Sequence, residues 1–241
     1  MRVRRRKKAV LLDVKFKRGK KETCIFRLRK TRSGQIALEM FGDKRLPGVL
    51  VVDRYNGYNK APCDIQYCQA HLLREIQDLD KELPEVKEVQ EFVGTTAELI
   101  AQTMRLRTTI TEDKEYLEAA QGLRTKIELV MGSEAQDPGI RRIQDIYRKH
   151  AGRMYHWPKG RNIPADNNFA KRELRNLVIS RKVSFGSQSD EGALTRKTLM
   201  SILHTMRLRG LAVRERFKTA LDQPAESSQA DKYSLLFSPD T

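Results

Sequence analysis

Apolar residues along this chain change their period more than once, and the changes mark off its parts. Ala9–Phe16 (AVLLDVKF) and Thr23–Arg29 (TCIFRLR) are rich in β-forming residues and flank a Lys17–Lys21 turn around Gly19. That arrangement predicts a β-hairpin. Gly34–Phe41 fits either a strand or a short helix. Gly48–Asp53 (GVLVVD) is a continuous apolar, β-branched run closed by a carboxylate. Such a run predicts a strand buried on both faces, with the residue at its carboxyl end directed into a site. Ile65–Cys68 predicts a further short strand.

From Ala70 the spacing becomes helical. Leu72, Leu73, Ile76, Leu79 and Leu83 recur at intervals of three and four and stop near Pro84. Val86–Leu106, Asp113–Met131 and Ile140–Met154 predict three more helices. A link rich in Pro and Gly (HWPKGRNIP) then precedes PADNNFAKRELRNLVISRKVSFGS, residues 164–187. Asp166, Asn167 and Asn168 have the short polar side chains that cap a helix start. The helix they open carries Lys171, Arg172 and Arg175, and a strand-like run, Leu177–Ser180, follows, with Arg181, Lys182 and a turn at Gly186. Glu191–Leu208 predicts a closing helix with Leu194, Leu199, Ile202, Leu203 and Met206 on its apolar face. Gln223–Thr241 is rich in Ser and Pro and reads as a frayed tail.

Charge sharpens this division. Residues 1–60 hold 19 Lys and Arg against 5 Asp and Glu, residues 61–150 hold 12 against 17, and residues 151–241 hold 16 against 9. The net +16 therefore comes from two basic ends around an acidic middle. Basic ends facing a polyanion account for this better than uniform solubilising charge, and they make a nucleic acid the expected partner. Met1–Lys8 (MRVRRRKK) is too charged to fold alone and reads as a basic arm. No apolar run approaches the roughly 20 residues of a membrane span, and the amino terminus lacks the apolar core of a secretory signal. Cys24, Cys63 and Cys68 form no paired framework, which fits a reducing cytoplasm. No phosphate-binding glycine loop, nucleophile elbow or dinucleotide fingerprint is present. No small-molecule substrate is expected.

Cys63, Cys68 and His71 have the spacing Cys-x4-Cys-x2-His, but a structural zinc needs four ligands and no fourth lies near in sequence. A packed Cys68 and a helical His71 are the preferred reading. His150, His156 and His204 have no triad context.

Two segments carry a resemblance. Residues 53–75 read DRYNGYNKAPCDIQYCQAHLLRE, and about 110 residues beyond Asp53 comes DNNFAKRELR, followed by Phe185–Ala193. In this order they resemble the insertion-sequence-66 family of bacterial transposases, over about residues 24–210. Asp53 matches the second catalytic Asp of that family, with Tyr55, Tyr58, Cys68, His71 and Arg74 matching its surroundings. Asn167 and Asn168 match the Asp-Asn-Asn-x-Ala-Glu-Arg-x-x-Arg signature. The family's third catalytic carboxylate falls at Lys171.

The resemblance implies a ribonuclease-H-like α/β fold, with a mixed sheet and a helical insertion. The expected division is a basic arm (1–8), the first part of the core (9–75), the insertion (76–160), the second part of the core with the signature helix (161–210) and a tail (211–241). It also implies DNA transposition by three acids (two Asp and a Glu) holding Mg²⁺, with Asp53 as a metal ligand. Two such ions, about 3.5–4 Å apart, activate the attacking oxygen and stabilise the leaving one. Arg172, Arg175, Arg181, Lys182 and Arg74 are the expected DNA contacts, and a homo-oligomer working at the bacterial nucleoid the expected setting.

The acids depart from this pattern. Asp13 is the one carboxylate on a plausible early strand, yet it lies closer to Asp53 than the family spacing and no Glu-Thr follows it. This is the expectation if the family's opening strand, coiled coil and zinc-binding region are missing or replaced. Protonated Lys171 has no lone pair for a metal. At 4 Å and an effective dielectric near 20, two unit charges repel by about 4 kcal/mol, and a dication roughly doubles that. Glu173 lies about 200° further round the helix and is no simple substitute. A truncated, catalytically degenerate transposase is the leading expectation. An active enzyme with unorthodox ligands and a non-catalytic DNA-binding regulator are the alternatives.

Overall fold

The computed structural model describes residues 10–18, 21–29, 34–183, 189–222 and 236–237. In chain order the elements are β1 (Val10–Arg18), β2 (Lys21–Arg29), α1 (Gln35–Phe41), β3 (Val49–Val52), β4 (Asp64–Tyr67), α2 (Gln69–Glu82), α3 (Lys87–Thr109), α4 (Asp113–Gly132), α5 (Pro138–Lys149), α6 (Ala151–Met154), α7 (Asn168–Val183), α8 (Asp190–Leu208) and α9 (Val213–Asp222). The chain is mostly helical, and among the described residues its strands form two separate pairs: β1 antiparallel to β2, and β3 parallel to β4. The larger mixed sheet expected from the sequence is not formed among these residues. The basic arm, the turn at Gly19, the bend at Gly186 and most of the carboxyl-terminal tail lie outside the described residues.

Two compact units divide the chain: one is residues 33–168, the other combines residues 1–32 with 169–241. In the first, the heptad-like spacing of α2–α5 directs Leu72, Ile76, Leu79, Val89, Ile100, Ala120, Ile127 and Ile140 into one core with Met154 and Trp157. Burying each large apolar side chain contributes about 1.5–3 kcal/mol. Loops are fixed by side-chain caps. Asp137 accepts from Gly139 N and Ile140 N at 2.7 and 3.1 Å, satisfying free donors at the start of α5. Glu88 in turn accepts from Gln136 N and Asp137 N at 2.7 and 2.9 Å.

The buried polar groups of this unit join its strands to the chain after α6. Gln66 on β4 donates to Met154 O at 3.0 Å and accepts from His156 N and Trp157 N at 2.7 and 3.2 Å. Gln69 donates to Met154 O at 3.1 Å and accepts from Tyr147 Oη at 2.9 Å. One amide thus satisfies three backbone groups that have left regular structure, as buried backbone requires.

Of the two conformations open to Gly34–Phe41, the short helix is the one formed, over Gln35–Phe41 with Ile36 and Ala37 buried. Several other sequence expectations need correction. Val49, Leu50 and Val51 are half-buried and only Val52 is fully covered, because β3 has a single strand partner among the described residues. The helix expected over Ile140–Met154 breaks at His150 (φ −119°, ψ 24°). There the imidazole packs edge-on to Tyr67 with ring centroids 5.3 Å apart. Leu177–Ser180 is not a strand, since α7 runs unbroken to Val183. Its β-branched residues carry only a weak bias against helix, which tertiary contacts override.

In the second unit β2 lies against α8. Cys24 N donates to Thr205 Oγ1 at 3.1 Å, and that hydroxyl donates to Cys24 O at 3.1 Å. Phe26 N donates to Ser201 Oγ at 2.9 Å, and Leu174, Met200 and Leu208 pack against Cys24 and Phe26. The buried face of α8 is therefore Ser201, His204, Thr205 and their neighbours. Leu194 and Leu199, expected on that face, are exposed. Ser189 caps α8, accepting from Gly192 N at 3.0 Å.

Candidate nucleic-acid site

Asp53 leaves the carboxyl end of β3 and Cys68 leaves that of its parallel neighbour β4, since Val52 pairs with Tyr67. Cys68 N extends the ladder by donating to Val52 O at 2.8 Å. Parallel pairing alone thus brings both motif residues to one edge. Asp53 is half-buried, and its Oδ1 accepts from Tyr55 N at 3.2 Å, which turns the chain sharply after the strand. Arg54 beside it pairs with Glu75 on α2. Tyr55 and Tyr58 then meet edge to face with centroids 5.9 Å apart.

The start of the signature segment is bound to the same edge. Gln69 N donates to Ala165 O at 2.9 Å, Asn167 N donates to Cys68 Sγ at 3.3 Å, and the Cys68 thiol donates to Asn167 Oδ1 at 3.2 Å. Asp166 Oδ1 accepts from Asn168 N at 2.7 Å, the capping role its residue type suggests. Cys68 is buried, His71 half-buried and Arg74 exposed on α2. Cys63 is half-buried on the loop before β4, and burial raises its thiol pKa above the usual value, with Asp64 adding to the effect and Arg45 opposing it.

Beyond Asn168 the helix has two differently occupied sides. At 100° per residue, Arg172, Arg175 and Lys182 fall within an arc of about 80°, and all three are exposed. Lys171, half-buried, borders that arc. Glu173 is on the opposite side, and its carboxylate contacts His204 Nδ1 on α8. That contact holds the Glu173 carboxylate on the α8 side of the helix, away from Arg172, Arg175 and Lys182. Arg181 lies in the same helix, and Asp13 occupies the β1 position paired with Phe26.

The residues do not fit the family's Mg²⁺ pair. Mg²⁺ takes hard oxygen ligands. Asp53 supplies one carboxylate, but within its unit no group of three acidic, His or Cys ligands includes it among the described residues. The signature position that should add a carboxylate holds the ammonium of Lys171 instead.

Cys68, at the strand end next to that of Asp53, is joined to the Asp-Asn-Asn segment that opens a cationic helix, and the family match makes this a transposase-type protein, for which DNA is the implied partner. The chain belongs to the family described as Transposase IS66 family, which it matches over residues 3–195. No curated protein and no solved structure matches it. Among the described residues no helix is long and apolar enough to cross a membrane.

The positions of Asp53, Cys68 and the Asp-Asn-Asn segment were visible as motifs. Gln66 and Gln69 match no motif position, although two Gln residues around a buried strand end are a signal that backbone groups need partners. The cluster formed by Cys24, Glu173 and His204 gave no sequence signal, because its members lie up to 180 residues apart.

Proposed function

We propose that this chain is a DNA-binding derivative of a transposase of the Asp-Asp-Glu, ribonuclease-H-like type that does not cleave or join DNA. One observation carries the reading: α7 presents Lys171 where the family signature has its metal-binding Glu. Its exposed Arg172, Arg175 and Lys182 support retained affinity for phosphates. In the proposed organisation, residues 9–75 and 161–210 belong to the core and residues 76–160 are the inserted helices. A second copy of the chain on DNA, at the bacterial nucleoid, completes the proposed setting.

The test is a supercoiled-plasmid nicking and strand-transfer assay with Mg²⁺ or Mn²⁺ on the wild type, Lys171→Glu and Asp53→Ala. The wild type is expected to be inactive. Lys171→Glu should strengthen divalent-cation binding by replacing a repelling charge with an oxygen ligand. Robust wild-type activity abolished by Asp53→Ala would overturn the proposal in favour of an active enzyme with unorthodox ligands. A regulatory role, favoured by the cationic face of α7, is read from repression of a promoter placed within a related element, without cleavage.

A further inference from the structure

Cys24 on β2, Glu173 on α7 and His204 on α8 bring a thiol sulfur, a carboxylate oxygen and an imidazole nitrogen within 4.8 Å of one another. Cys24 is 1% exposed and His204 3% exposed, so two of the three donors are sealed in the core. Both are held by their neighbours. Cys24 is fixed by its paired hydrogen bonds to Thr205, and the ring of His204 meets Phe26 edge-on, with centroids 5.0 Å apart. A second observation is independent of the clustering. His204 Nε2 is buried and has no hydrogen-bond partner among the described residues. The imidazole is thus engaged at Nδ1 alone, so its one proton can sit on either nitrogen without breaking a second hydrogen bond.

From this geometry we infer that Cys24, Glu173 and His204 form a binding site for a thiophilic divalent metal of the Zn²⁺ class, distinct from the Mg²⁺ chemistry of the family. Thiolate and imidazole favour Zn²⁺ and Co²⁺, whereas Mg²⁺ and Ca²⁺ favour oxygen. Tetrahedral ligands at about 2.0–2.3 Å from zinc stand about 3.3–3.7 Å apart, so the cluster needs only small side-chain movement. The ion takes the place of the proton between Glu173 and His204 Nδ1, and that proton passes to Nε2 as the imidazole changes tautomer. Cys24 releases its thiol proton to solvent on binding. Thiolate, carboxylate and neutral imidazole around a dication sum to zero charge, which makes the buried site electrostatically balanced. Water completes the fourth position, as in three-ligand zinc sites. The metal then clamps β2 to α7 and α8.

The experiment is Co²⁺ titration of the full-length, chelator-stripped protein, followed by displacement with Zn²⁺. One equivalent of Co²⁺ should produce a thiolate-to-cobalt charge-transfer band that survives excess Mg²⁺ and disappears on adding Zn²⁺. Cys24→Ser should abolish the band, while Cys63→Ser and Cys68→Ser should retain it. Circular dichroism accompanies each variant. Should Cys24→Ser fail to fold, Glu173→Gln serves instead, and it should weaken Co²⁺ binding by at least about tenfold, the scale seen for groups that tune metal sites. No band in the wild type, a band that follows Cys63 or Cys68, or unchanged affinity in Glu173→Gln would each overturn the assignment and leave a buried His–Glu pair beside a core cysteine.

Discussion

Cys68 and Asn167 hold each other through both ends of one contact. Asn167 N donates to the sulfur at 3.3 Å, and the thiol donates to Asn167 Oδ1 at 3.2 Å. These residues belong to the two motifs that mark the family, and they are 99 positions apart in the chain. The thiol is therefore a fastener between a strand end and the cap of the signature helix, which explains a buried cysteine without any redox or metal role.

Removing either partner should loosen this junction. Cys68→Ala loses both contacts and the packing of the sulfur, and is expected to destabilise the protein by about 1–3 kcal/mol. Asn167→Ala loses only the arm to Oδ1 and should cost about 0.5–1.5 kcal/mol. Urea denaturation of both variants and the double variant checks the pairing. The double variant should fall short of the sum by about 0.5 kcal/mol or more. Strict additivity would mean that the thiol and the amide do not interact.

Gln66 is the more severe position. Its fully buried amide serves Met154 O, His156 N and Trp157 N together. Gln66→Ala strands His156 N and Trp157 N and leaves Met154 O with the Gln69 amide alone, so a loss of about 2–4 kcal/mol is expected. Gln66→Glu keeps the acceptor for His156 N and Trp157 N but sets a carboxylate against Met154 O and buries a charge. It should rescue little. Thermal midpoints of the two variants, read by circular dichroism, decide this. A Gln66→Leu protein as stable as the wild type would show that apolar volume matters more than the hydrogen bonds.

These two positions also show what the sequence made legible. The three-and-four spacing of Leu72, Ile76 and Leu79 foretold α2 and its buried side, because burial is periodic and local. The strand-end placement of Asp53 followed from an apolar run closed by an acid. The partners of Cys68, Gln66 and His204 did not follow, since a hydrogen bond between residues far apart leaves no period in either segment. Leu177–Ser180 misled for a related reason. Its β-branched residues suit a strand locally, while the contacts of Leu174 and Glu173 with β2 and α8 keep the helix going.

Histidine titration should make stability fall in mild acid. His150 and His156 both have pKa values below the usual 6.5, chiefly through burial, aided by Arg153 at His150 and by Lys159 at His156. The unfolded chain therefore binds these protons at higher pH than the folded chain does. Their stabilising effect is present above about pH 6.5 and is lost as pH falls through the lowered folded values. Urea midpoints should be flat between pH 8 and 7 and decline from about pH 6.5 downward. His150→Gln should shallow that decline while costing some stability at neutral pH, because it loses the Tyr67 contact. An unchanged midpoint down to pH 5 would show that these imidazoles are not protonated on unfolding.

DNA affinity should weaken steeply with salt, and the contributions of the arm and of α7 should separate. Each phosphate neutralised on duplex DNA contributes about −0.9 to the slope of log affinity against log salt. Residues 1–8 carry six Lys and Arg side chains. Deleting them should flatten the slope by up to about 5 if every one meets a phosphate. Arg172→Ala, Arg175→Ala and Lys182→Ala each remove one charge from a shared helix face, and each should flatten it by about 0.9 at most. Because phosphates carry no sequence information, these losses should be nearly equal on related and unrelated DNA. Fluorescence anisotropy on both duplexes across a salt series measures all of this. A slope untouched by the arm deletion but reduced by the three α7 variants would confine DNA contact to the signature helix. The reverse would make that helix a structural element whose cations face only water.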